Sequence, residues 1–137
     1  METIKLDKDI KVFYVTAKTF LAGIQDATNE LHKLFPFSKE RRIFGLSRPE
    51  NNGQIIYRAA AEELSPGEAE KLNCPTLIIK KGEYCCITVN DFRKDIMSID
   101  RAFKQLLNEP NLDPQGYCVE WYATDGEAVK CMIRLDK

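Results

Sequence analysis

The chain carries one order of elements twice, and that repetition limits the folds open to it more than any other feature. A β-rich run at residues 11–16 leads into a helical pattern with Ile24, Ala27, Leu31 and Leu34 on one face. Two extended runs follow at residues 42–46 and 54–59, and the Asn52-Gly53 step between them is a hairpin signal. The order then recurs. Residues 76–80 read as a strand that continues over 84–89 after Gly82, a position suited to a bulge or bend. Ile96, Ile99, Phe103 and Leu106 repeat the same i, i+3, i+7, i+10 spacing, and Pro110 prevents that helix from running on. Runs at residues 117–122 and 129–135, joined by a turn at 124–127, close the second set.

Between the sets, Ser65, Pro66 and Glu68 match a capping box with proline at the first helical position, which predicts a short helix through about Leu72. The expected architecture is α+β: two βαββ repeats with pseudo-two-fold symmetry, and an antiparallel sheet with both helices on one face. The half-sheets then meet at a central cleft, a common setting for a ligand. The chain reads as a single domain over residues 1–137, with repeat one at about 10–63, a linking helix at about 66–72 and repeat two at about 75–136.

Composition narrows the function classes. The 137 residues are 44% hydrophobic and 30% charged, a globular balance with enough apolar side chain for a core. The formal net charge is -1, without the basic stripe of a nucleic-acid binder; Glu40, Arg41 and Arg42 read as a solvated strand start. No apolar run reaches signal-peptide or membrane length, so a cytoplasmic location without membrane association is expected. Five cysteines, Cys74, Cys85, Cys86, Cys118 and Cys131, lack metal-ligand spacing, and they read as reduced thiols filling strand positions. His32 is the single histidine and reads as solvent-facing on the first helix. Neither a metal nor a cofactor is expected.

Strand parity assigns faces. Val129, Cys131, Ile133 and Leu135 should lie under the helices, which turns Lys130, Met132 and Arg134 to the opposite, open face. Val119 and Trp121 are the better core pair on the neighbouring strand, placing Cys118, Glu120 and Tyr122 with that open face, provided the hairpin register matches. Glu120 is the residue that invites a functional reading, because a carboxylate among aromatics in a central strand needs a partner. A cross-strand ion pair with Lys130 or Arg134 would satisfy it. A polar anchor at the base of an apolar cleft, facing a cationic ligand, would also do so. With a pKa raised by burial, the same group would serve as a general base. Tyr57, Phe44 and Tyr84 are further candidates for the cleft walls, and each also suits ordinary core packing. Tyr122 and Met132 join Glu120 as candidate ligand contacts through the parity argument.

The element order, the segment Ile79-Lys80-Lys81-Gly82-Glu83-Tyr84 and the segment Tyr117-Cys118-Val119-Glu120-Trp121-Tyr122 together resemble the GyrI-like family. That family comprises gyrase-inhibitory proteins and the effector-binding domains of AraC-type and multidrug-sensing transcription activators. The resemblance spans residues from about Ile10 to Leu135. It implies a bacterial, pseudo-two-fold, small-molecule-binding domain in which Glu120 lies at the base of an aromatic pocket. Strands begin close to Met1, so the chain resembles the members that lack a helix-turn-helix reader, and direct nucleic-acid binding is not expected.

Three functions compete. The first is a stand-alone module binding a small hydrophobic or cationic ligand through Glu120, Tyr122, Tyr84, Tyr57, Phe44 and Met132. The second is a small hydrolase using Glu120 as general base on an electrophilic ligand; no other catalytic group is assigned. The third is a protein-interaction module of the gyrase-inhibitor type, for which a net charge of -1 supplies no DNA-mimicking acidic excess.

Overall fold

The computed structural model describes residues 1–50 and 53–136. An edge strand β1 (Glu2–Leu6), not foreseen from the sequence pattern, comes first. Repeat one then supplies β2 (Ile10–Thr16), α1 (Ile24–His32), β3 (Ile43–Glu50) and β4 (Gln54–Glu62). A single helical turn, α2 (Glu68–Lys71), leads to β5 (Thr76–Ile79). Repeat two is β6 (Gly82–Asn90), α3 (Ser98–Leu106), β7 (Cys118–Tyr122) and β8 (Ala128–Arg134), with a 3-10 turn at Phe92–Lys94 before α3. β3 and β4 pair as a hairpin through Glu50 and Gln54, but Asn51 and Asn52 of the expected turn lie outside the described residues.

All eight strands join one antiparallel sheet in the order β1-β6-β8-β7-β3-β4-β2-β5. The order is symmetric about the β7–β3 seam, where Ile43, Gly45 and Ser47 lie opposite Tyr122, Glu120 and Cys118. The repeats exchange their outer strands. β1 precedes repeat one but pairs with β6 of repeat two, whereas β5 precedes repeat two and pairs with β2 of repeat one. This corrects the expectation that residues 76–80 and 84–89 are one strand. Gly82, at φ 133, starts β6 as a separate strand, and a Cβ there would crowd the Arg134 guanidinium at 3.1 Å.

Only residues 7–9 connect β1 at one edge of the sheet to β2 near the other, and Asp9 accepts the Lys81 amide at 2.8 Å, so the sheet must curl. The inside of the curl is a core of Val12, Phe44, Leu46, Cys86, Val119 and Met132, closed by Leu6, Ile10 and Ile79 from the outer strands. The face expected to be open is therefore filled. Both helices cover the outside. α1 packs Ala27 and Leu31 on Phe13, Tyr57 and Ala59, and α3 packs Phe103 and Leu106 on Cys85, Cys131 and Ile133. Cys85 and Cys86 point to opposite faces, and all five thiols are free.

Three local expectations are corrected. Ile96, assigned to the apolar face of the second helix, is 78% exposed, because Asp95 accepts the Met97 amide and the helix starts only at Ser98. Ser65 does not cap α2, whose N-cap is Gly67 at φ 85. Glu68 does reach back to the Leu64 amide at 3.0 Å, but its carboxylate is held by Arg41 through two bonds of 2.8 Å. Arg41 is accordingly not solvated; it is 8% exposed and lies over the Phe35 ring at 4.5 Å. Among the described residues, no helix is long and apolar enough to cross a membrane.

Candidate functional site

The hairpin of repeat two decides where Glu120 points. Tyr122 pairs with Val129, Glu120 with Cys131 and Val119 with Met132. Gly126, at φ 75, closes the turn by donating its amide to the Ala123 carbonyl. This register is one residue from the expected one, and it reverses every side chain of β7. Glu120 and Tyr122 therefore lie on the helix side with Cys131. Val119 and Trp121 share the other side with Met132 and Lys130. An ion pair with Lys130 or Arg134 is thereby corrected as well: Lys130 lies opposite Trp121, and Arg134 pairs with Asp113 at 3.2 Å.

Glu120 sits at the seam of the two repeats and is only 9% exposed. Its Oε1 accepts two phenol hydrogen bonds, one from Tyr122 and one from Tyr57 on β4 at 3.3 Å. Tyr57 reaches it by crossing β3 where Gly45 leaves room. A Cβ on Gly45 would lie 2.1 Å from the Tyr57 hydroxyl and 2.9 Å from Glu120 Oε1. Among the described residues, no cation forms an ion pair with Glu120. Burial pushes its pKa up, and the two phenols, which favour the charged form, offset only part of that. Burial and the nearby carboxylate push both phenols up, so they remain protonated donors.

Above these groups a cleft of about 340 Å³ opens between α1 and the β6–α3 connection. Tyr57, Ala59 and Tyr122 line it from the sheet, Leu31 and Phe35 from the side of α1, and Phe92 and Arg93 from repeat two. Phe92 meets Tyr122 at 5.6 Å between ring centroids. Glu120 lies one layer beneath, behind the two phenols. Trp121 reaches the cleft from the end of β7, packed on Phe44 at 5.8 Å and under the Arg42 guanidinium at 5.7 Å.

The structure thus brings together Glu120, Tyr57 and Tyr122, with Phe44 also on the cleft wall. It places the other two candidates elsewhere. Met132 is fully buried inside the curl. Tyr84 is in that same core, its hydroxyl donating to the Lys80 carbonyl at 2.5 Å, and burial pushes its pKa up to about 12. It borders a second hollow of about 290 Å³ with Tyr117 and Arg134. Phe35, Phe37, Phe92 and Arg93 line the cleft without having been singled out; Trp121, read from the sequence as a core residue, and His32 line it as well. The loop aromatics carried no periodic signal; their clustering just after α1 and just before α3 was the available clue.

Nucleophilic thiol chemistry is disfavoured here. Burial and the Glu120 carboxylate push Cys118 up to about 11 and Cys131 up to about 12. Among the described residues, no three His, Cys, Asp or Glu side chains converge as a metal site. The arrangement offers a buried acid, two phenol donors and aromatic walls. It is suited to holding a flat apolar molecule and to meeting a positive or hydrogen-bonding group at its floor.

No protein-family profile and no curated protein matches the chain. Its fold does match solved structures over nearly its whole length. A Vibrio cholerae integron cassette protein, VCH_CASS2, superposes with a TM-score of 0.70 at 11% identity, covering 98% of this chain and 94% of that one. SAV2435, solved bound to tetraphenylphosphonium, gives 0.64 at 13% identity, covering 98% and 92%. A Staphylococcus aureus MU50 protein provisionally assigned to transcription regulation gives 0.61 at 11% identity, covering 99% and 97%. At these identities the likeness is one of fold: the chain is an α+β protein of two βαββ repeats with a central cleft.

Proposed function

We propose that the chain is a ligand-binding domain of the GyrI-like, effector-binding type. It takes an aromatic, lipophilic molecule with a cationic group into the cleft between α1 and the β6–α3 connection. The observation that carries this reading is a buried carboxylate, held by two phenols and lacking a cationic partner among the described residues, beneath a cleft walled by aromatic rings. Ionising a buried carboxyl without a counter-charge is costly, and a ligand cation relieves that cost. The cation rests against the rings of Tyr57 and Tyr122, with the Glu120 charge behind their hydroxyls. SAV2435 supports the reading, since a protein of this fold was solved with a lipophilic cation. On this view the described fold acts as one ligand-binding domain, and it passes its ligand state to a protein partner or simply sequesters the ligand.

Trp121 is the single tryptophan and lines the cleft, so its fluorescence reports occupancy. Titration with tetraphenylphosphonium should quench it saturably, and Glu120→Gln should weaken binding about tenfold or more, as expected for loss of a desolvated charge partner. Saturable binding unchanged by Glu120→Gln refutes the role of the carboxylate.

A second reading rests on the raised pKa of Glu120, which suits a general base as well as a cation partner. A Listeria innocua hydrolase has a related fold, with a TM-score of 0.55 at 10% identity over 98% of this chain. Here Glu120 deprotonates a water held between the phenols and an electrophilic ligand. Product formation that survives Glu120→Gln would remove this reading.

A further inference from the structure

The cleft has a second electrostatic pole. Every charged side chain that lines it is basic: Lys39, Arg41, Arg42 and Arg93; among the described residues no Asp or Glu does so, Glu120 lying beneath the floor. Two of the four are neutralised within the fold. Arg41 is bound through two bonds to Glu68, and Arg42 pairs with Glu62 at 2.6 Å. The other two have no acidic partner among the described residues. Lys39 is exposed on the α1–β3 connection of repeat one. Arg93 is exposed on the turn of repeat two, where its Nε donates to the Gly126 carbonyl at 3.1 Å and its guanidinium lies 5.2 Å from the Phe92 ring centroid. That bond uses Nε–H alone, and the two terminal nitrogens, which make no hydrogen bond among the described residues, can hold an anionic group.

A simple lipophilic cation entering this cleft meets like charge at the mouth before it reaches the acid beneath the floor. A molecule with charges of both signs meets a complement at each end. Building on the cleft reading above, we infer that the ligand is amphoteric: an aromatic body with a cationic or hydrogen-bond-donating group at the Glu120 floor and a carboxylate or other acidic group at the Lys39–Arg93 rim. The aromatic walls fix the body, and the two poles fix its direction, so the cleft discriminates between an acid and its neutral ester.

The matched dyes rhodamine 110, which carries a free carboxylate on a cationic aromatic frame, and rhodamine 123, its methyl ester, separate the two cases. Fluorescence anisotropy with the full chain should show the acid binding about three- to tenfold more tightly than the ester, the range for ion pairs at a partly exposed rim. The preference should shrink with added salt and vanish in Lys39→Gln/Arg93→Gln. The same double variant should bind tetraphenylphosphonium at least as well as wild type, because two repelling charges are gone. If tetraphenylphosphonium binds but the ester binds wild type as well as the acid or better, the amphoteric inference is overturned and the cleft reading stands. If neither dye nor tetraphenylphosphonium binds, both fail together.

Discussion

The Tyr57 hydroxyl donates to Glu120 Oε1 at 3.3 Å across the strand that separates them, and Gly45 is the reason it can. Tyr57 belongs to repeat one and Glu120 to repeat two, so this bond and the β3–β7 pairing tie the halves together at the floor of the cleft. Gly45→Ala should destabilise the protein by about 1–3 kcal/mol, the usual cost of forcing a group into packed space. The cost should fall in a Tyr57→Phe background, because the atom nearest the new methyl is removed. Urea denaturation of the two single variants and the double variant measures that non-additivity. Equal costs in both backgrounds would refute the crossing.

The raised pKa of Glu120 has a definite sign in stability. The folded protein holds a proton that the unfolded chain releases near the ordinary value of 4.5. The stability tied to this site is therefore complete below 4.5 and is lost as pH rises through the raised value. Glu120→Gln keeps the shape without the charge, so it should be more stable than wild type at neutral pH, with the gap closing in acid. Denaturation midpoints of both proteins against pH test this.

Glu68 predicts the opposite trend. Its hydrogen bonds to Arg41 lower its pKa to about 2. The stabilisation is present above 4.5 and lost as pH falls toward 2. Glu68→Gln leaves the Arg41 guanidinium buried without its counter-charge and should cost about 2 kcal/mol at neutral pH. The cost should diminish in acid, where wild type has also lost the charge. A cost independent of pH would contradict the pairing.

The two phenols should be separable. Both bonds favour the ionised carboxylate, so Tyr57→Phe and Tyr122→Phe should each raise the Glu120 pKa further. The Tyr122 bond lowers it more than the Tyr57 bond does, so its loss should have the larger effect. Carbon-detected NMR titration of the glutamate carboxyl groups reads both shifts directly.

The elements of the repeat were legible because the order of strand, helix and two strands recurs in the sequence and β8 alternates cleanly, although Leu34 falls just beyond α1 and Ile96 just before α3. Val129, Cys131 and Ile133 do lie under α3. β7 was not legible in the same way. Cys118 and Tyr122 suit burial on one face and Val119 and Trp121 on the other, so period-two alternation could not choose, and the turn around Gly126 made the choice. β1 escaped notice because Glu2 to Leu6 is a short polar edge whose apolar residues, Ile4 and Leu6, matter only once the sheet curls. At the site, Glu120 stood out as a charge among aromatics. The room that Gly45 makes for Tyr57 depends on a strand pairing that no local pattern encodes.

The central claim is that a ligand cation is received by the Glu120 carboxylate. Calorimetric titration with tetraphenylphosphonium, in buffers of differing ionisation enthalpy and across mildly acidic to neutral pH, tests it most directly. Binding to wild type should release protons, because the cation draws the raised carboxyl into its ionised form, and affinity should climb as pH rises toward the raised value. Glu120→Gln should bind at least about tenfold more weakly and release none. Equal affinity and equal proton release in the two proteins would contradict the account.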